Sequence, residues 1–139
     1  MFRNNPPAFF GILAAITCIL ILLSACGSKA TPSSTTQTSG ANYVQAGKTV
    51  FAARCAMCHG AQGQGGSGPA LIGSNASLGK YNTGQGLFNF VSVNMPFNAP
   101  GTLSRDEYLQ VTSFILTENN FISAGDFNPN LLANVSLKR

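Results

Sequence analysis

An all-α fold with long glycine-rich loops is what this chain predicts, on three observations. Apolar residues recur three and four apart in three separate segments, a capping box opens the last of them, and no segment alternates polar and apolar residues as a strand would. In the first segment, about residues 42–54, Val44, Gly47 and Phe51 share one helix face. The second is capped by Asn82 or Thr83, runs through Leu87, Phe90 and Val91, and fades before Pro96. The third opens on Ser104-Arg105-Asp106-Glu107, with acids in the first turn where the helix dipole favours them, and buries a stripe of Tyr108, Val111, Phe114 and Ile115. Phe88, Phe90 and Phe114 read as ordinary core. Residues 60–68 hold so much glycine that they build no core of their own, and the loop is expected to lie against something flat.

The start of the chain reads as a leader rather than a domain. Arg3 precedes an apolar run at residues 8–23, broken only by Gly11 and Thr17, the pattern of a secretory signal. It ends in Leu23-Ser24-Ala25-Cys26, which resembles the bacterial lipobox, whose cysteine receives a diacylglycerol and becomes the mature N-terminus. A retained transmembrane anchor is the alternative, since the run is near the lower length limit for spanning a bilayer; the small residues before Cys26 favour cleavage. The expected organisation is a cleaved signal peptide at 1–25, then lipidated Cys26 with a flexible Ser/Thr-rich tether to residue 40. A single small domain follows at 41–139, with a C-terminal extension from about 118. The tether reaches roughly 20 Å. Either reading puts the domain in the cell envelope, outside the cytoplasm and anchored to a membrane, on the periplasmic side or the outer face of the plasma membrane.

Cys55-Ala56-Met57-Cys58-His59 carries the chemistry. Two thiols one turn apart reach the two vinyl groups on one edge of a porphyrin, and the adjacent imidazole swings under the iron, so the motif reads as an attachment site for one covalent haem c. Cys-x-x-Cys also occurs in zinc sites and dithiol redox enzymes. The chain has four Cys and one His. With Cys18 lost in the signal and Cys26 lipidated, Cys55, Cys58 and His59 remain, one short of a closed zinc site. Nothing alternates strand with helix around the dithiol as a thioredoxin-like reading needs. Gly63-Gln64-Gly65-Gly66-Ser67-Gly68 matches a dinucleotide fingerprint formally, but it follows no strand and leads to Pro69 rather than into a helix.

The sixth iron ligand decides the function. His59 is the single histidine, so two histidines from one chain are excluded. Met57 lies inside the motif on the His side, and Met1 leaves with the signal. Met95 is the methionine left, at a helix end before Pro96. A methionine is more often a gap-filler in a core, but Met/His ligation suits a haem that shuttles electrons.

These residues together resemble a class I c-type cytochrome of the small bacterial monohaem kind, here of lipoprotein type. The resemblance covers about residues 41–117 and rests on residues 55–59, on Gly68-Pro69-Ala70-Leu71 after the Gly-rich loop, on Met95-Pro96, and on the closing helix from Ser104. It implies three or more helices wrapped around one haem. It further implies that the Pro69 carbonyl accepts a hydrogen bond from the His59 ring, and that Gly47 and Phe51 of the first helix cross Val111 and Phe114 of the last. The tail, with Asn119, Gly125, Leu131 and Leu132, resembles extensions on cytochromes that accompany quinoprotein dehydrogenases.

The function implied is electron transfer by outer-sphere exchange at the haem edge, not enzymatic turnover. The donor and acceptor would be redox proteins: a dehydrogenase, possibly a quinoprotein, or a terminal oxidase. A haem-based ligand sensor or weak peroxidase with a labile Met95 ligand is the alternative, and an anchored dithiol oxidoreductase a third. The formal charge of +4 includes Arg3. Lys48, Arg54, Lys80 and Arg105 suit either an acidic docking face or simple solvation, and the absence of a basic run leaves nucleic-acid binding unsupported.

Overall fold

The computed structural model describes residues 39–138. The expected signal peptide, Cys26 and the tether up to residue 38 lie outside the described residues.

Helix α1 (Gly40–Arg54) begins at Gly40, earlier than the spacing of its apolar residues suggests, and takes in the end of the expected tether. The reason is tertiary. Gly40 is pressed against the chain at residues 124–127, where a β-carbon would come within 2.6 Å of the Ala124 carbonyl and 2.9 Å of the Phe127 amide. Tyr43, one turn on, packs against Phe127 with the rings tilted and their centroids 5.1 Å apart. Helix α1 stops at Cys55, and the single turn α2 (Ala56–His59) follows at once. A long loop and a 3-10 turn (Leu78–Tyr81) lead to α3 (Gly84–Asn94). Its cap is Thr83, whose Oγ1 accepts the Gly86 amide at 3.2 Å.

Helix α4 (Arg105–Glu118) starts on the expected capping box. Ser104 Oγ accepts the Glu107 amide at 3.2 Å, and Glu107 Oε2 accepts the Ser104 amide at 2.7 Å. These bonds hold the Glu107 carboxyl below its ordinary range, the backbone bond from Ser104 contributing most. A depressed carboxylate stabilises the fold above its unfolded pKa, and that contribution is lost as pH falls through the folded value.

Among the described residues there is no strand, and one isolated bridge pairs Thr83 with Ser136.

The core is built around α4. Its contact with α1 is set by Gly47, where a β-carbon would run into the Gln110 carbonyl and lie 3.0 Å from Phe114 Cβ. With that space free, Phe51 and Phe114 meet ring to ring at 5.3 Å, the crossing the resemblance implied. The burial of α4 is wider than the expected stripe: Leu109, Thr112, Ser113 and Leu116 are buried as well. The tail joins the same core. Phe127, Leu132 and Leu137 belong to the core, and the Val135 carbonyl accepts the Gly84 amide at 2.9 Å while the Asn82 carbonyl accepts the Leu137 amide at 2.9 Å. The C-terminal extension is therefore part of the domain's packing. One expected core residue is not core: Phe90 is 37 % exposed and lies against Tyr81, centroids 5.0 Å apart.

Gly47→Ala is expected to force α1 and α4 apart and lower stability by about 1–3 kcal/mol, the usual cost of overpacking. Gly125→Ala, whose β-carbon would meet nothing within 4 Å, is expected to stay within about 0.5 kcal/mol of the parent; denaturant midpoints compare the two. Ser104→Ala removes the α4 cap and is expected to lose about 1 kcal/mol in the same measurement.

Candidate functional site

The end of α1 and the turn α2 present the motif. His59 and Cys58 donate their amides to the Cys55 carbonyl at 3.0 and 3.1 Å, which winds residues 55–59 into one turn. Cys55, Cys58 and His59 all line one cavity of about 800 Å³, counting the space at its open mouth. Leu71, Leu87, Val91, Val111 and Ile115 give the cavity apolar walls. Arg54 and Lys80 are the charged residues at its edge.

His59 is buried, and its Nδ1 lies 2.8 Å from the Pro69 carbonyl. A carbonyl only accepts, so the proton is on Nδ1 and Nε2 keeps its lone pair for a metal. The glycine-rich loop fixes that acceptor. The Gly68 amide donates to the Cys58 carbonyl at 2.8 Å, the Gly65 amide to the His59 carbonyl at 2.8 Å, and the Gly63 carbonyl accepts the amides of Leu71 and Ile72 at 2.8 and 3.0 Å. The flat object against which the loop lies is the His59 ring: a β-carbon on Gly68 would sit 2.9 Å from Cε1 and 3.0 Å from Nδ1. Gly63 and Gly65 adopt φ of 74° and 99°, a region that favours glycine.

Asn119 ties this loop to α4. Its Nδ2 donates to the Leu71 carbonyl at 2.8 Å and to the Ile115 carbonyl at 2.8 Å, and its Oδ1 accepts the Gly73 amide at 3.3 Å. The sequence placed Asn119 only in the tail, with no sign of these bonds.

Met95, at the C-terminus of α3, is half-buried and lines the same cavity as His59. Around the mouth, Met57 and Phe97 are 83 % and 84 % exposed, and Phe90 joins them there. Phe90 was expected in the core; its exposure follows from its place at the cavity edge.

The donor set suits a haem better than zinc or a free dithiol. Two half-buried, unbonded cysteines lie one turn apart beside an imidazole of fixed tautomer and an apolar hollow with a thioether on its wall. Burial pushes the Cys55 thiol up to about 11, with Arg54 opposing and Cys58 adding to the shift. An attacking cysteine needs the opposite, a thiolate at neutral pH. Among the described residues no group of three or more His, Cys, Asp or Glu side chains gathers as a metal cage.

Comparison with known proteins agrees with the geometry. The family described as Cytochrome c matches residues 44–118. The chain is 32 % identical over 81 residues to a thiosulfate dehydrogenase of Psychrobacter arcticus, an alignment that takes in 49 % of this chain and 24 % of the relative. The chain thus matches about a quarter of that relative's length. The crystal structure of the sulfane dehydrogenase SoxCD from Paracoccus pantotrophus is similar with a TM-score of 0.58 and 26 % identity, covering 81 % of this chain and 68 % of that one.

Gly68→Ala is expected to push the His59 ring off Pro69 in the haem-loaded protein. The His59 Nδ1 proton should then exchange with solvent roughly three- to tenfold faster, as loss of one hydrogen bond allows. Proton NMR of the reduced protein reads this directly, and unchanged exchange would show that the loop does not press on the ring.

Proposed function

The chain belongs to the cytochrome c family, and from that premise we propose that it is a membrane-anchored carrier of single electrons rather than an enzyme. The family carries a covalently bound haem c, which supplies one-electron redox chemistry when in place. The observation that carries the proposal is the pairing of His59, its Nδ1 committed to Pro69, with Met95 on the wall of one apolar cavity. In this reading Cys55 and Cys58 would hold the haem through thioethers, and His59 Nε2 and the Met95 sulfur would ligate its iron. With both ligands supplied by side chains, no place would be left for a substrate. Methionine ligation and apolar walls both favour the reduced state, so the potential is fairly positive.

The partners we propose are a dehydrogenase as donor and a further redox protein as acceptor. Both named relatives are dehydrogenases of sulfur compounds, thiosulfate in one case and sulfane in the other, which supports a donor of that kind. Docking would use the exposed apolar mouth formed by Met57, Phe90 and Phe97, with Arg54 and Lys80 favouring an acidic partner face. Lipidated Cys26 and the tether would keep the carrier in the cell envelope, close to membrane-bound partners.

Met95→Ala is expected to leave haem attached through Cys55 and Cys58 while lowering the potential and opening the iron to carbon monoxide. An unchanged spectrum and potential would mean that Met95 is not a ligand. Ready binding of carbon monoxide by the unmutated reduced protein would favour the sensor or peroxidase reading instead. Phe97→Ser is expected to leave the potential unchanged and weaken partner docking by about 1–2 kcal/mol, a factor of roughly 5–30 in the concentration that half-saturates electron exchange.

A further inference from the structure

We propose that Tyr108 is a positioning residue for the sixth ligand: its buried hydroxyl pins the segment that carries Met95 and so sets how firmly the Met95 sulfur stays on the iron. This rests on the reading of Met95 as a ligand.

Tyr108 is 3 % exposed, in the first part of α4. Its hydroxyl donates to the Met95 carbonyl at 2.7 Å, and the same oxygen accepts the Leu103 amide at 3.4 Å. One atom therefore holds both ends of the segment from Met95 to Leu103. The remaining ties are local or exposed. The Ala99 amide donates to the Pro96 carbonyl at 2.8 Å, Thr102 Oγ1 to the Ala99 carbonyl at 2.8 Å, the Gly101 amide to the Met95 carbonyl at 3.4 Å, and Arg54 reaches Thr102 Oγ1 at 3.4 Å on the surface. Phe97 at the tip is 84 % exposed and anchors nothing.

A hydroxyl in a core costs free energy unless it is bonded, so an aliphatic or phenyl side chain would serve packing alone. Here the hydroxyl is satisfied wholly by the segment bearing the ligand. The clamp is also rigid. Val111 and Ile115, further along the same helix, form the cavity wall, so the helix that shapes the cavity also fixes the backbone from which Met95 reaches into it.

The test uses the full chain matured with haem and measures imidazole binding to the oxidised protein, since imidazole competes with the Met95 sulfur. Tyr108→Phe keeps the ring and removes the clamp. The Gly101 amide still reaches the Met95 carbonyl, so the loss is that of an ordinary hydrogen bond, and imidazole is expected to bind roughly three- to tenfold more tightly. In a Met95→Ala background, where imidazole has no sulfur to displace, the same substitution is expected to change nothing. Ser104→Ala, which weakens the cap of the same helix without touching Met95, is expected to lower stability and leave imidazole binding as it was. If Tyr108→Phe leaves the affinity unchanged while Met95→Ala raises it, Tyr108 is a packing residue and the inference fails with the ligand reading intact. An equal effect of Tyr108→Phe with and without Met95 also overturns it. If Met95→Ala itself leaves imidazole binding unchanged, the ligand reading fails and takes the inference with it.

Discussion

The close approach of α1 to α4 at Gly47 governs where everything else lies. At that point the first helix rests against the backbone of the last, separated by no side chain on the α1 side, and the contact fixes the angle and height at which α1 ends. Two turns beyond the contact come Cys55 and the turn that carries Cys58 and His59. The rings of Phe51 and Phe114 fill the wedge between the helices just before the motif begins. A wider crossing would move the attachment turn away from Val111 and Ile115, and the cavity would lose one of its walls. The core contact and the site are thus one arrangement.

Helix α4 serves both sides of that cavity. Near its start Tyr108 reaches the Met95 carbonyl; in its middle Val111 and Ile115 line the hollow; just past its end Asn119 bonds the loop that leads from Pro69. The sides on which His59 and Met95 reach the cavity are therefore referred to one rigid element rather than to each other. This explains why α4 is buried nearly all round, when an ordinary surface helix would show a polar face. Leu132 and Leu137 of the tail belong to the same core.

Much of this was legible in the sequence. The three main helices, the cap at Ser104, a second cap narrowed to Asn82 or Thr83, the attachment motif and the candidate methionine were all readable, because each is a local pattern or a matter of residue inventory. What was missed depends on distant parts of the chain. The early start of α1 requires Gly40 to meet residues 124–127, and the burial of Leu109 and Leu116 goes beyond the single stripe that the spacing of apolar residues marks. Asn119 and the Tyr108 hydroxyl act on segments 48 and 13 residues away. A polar atom announces its partner only once the chain is folded. Phe90 erred in the other direction: its spacing matches the helix face of Leu87 and Val91, but that face turns towards a cofactor cavity and its open mouth, not a closed core.

The meeting of Gly40 with residues 124–127 bears on the order in which the chain can acquire its shape. Contacts of such sequence separation close late, because the entropy of a long loop must be overcome before they form. The cavity beside Cys55 and Cys58 is walled by residues up to Ile115 and by none of the tail. Docking of residues 124–127 on Gly40 therefore completes the packing of the domain without closing the site, and the hollow can take shape before the last residues find their place.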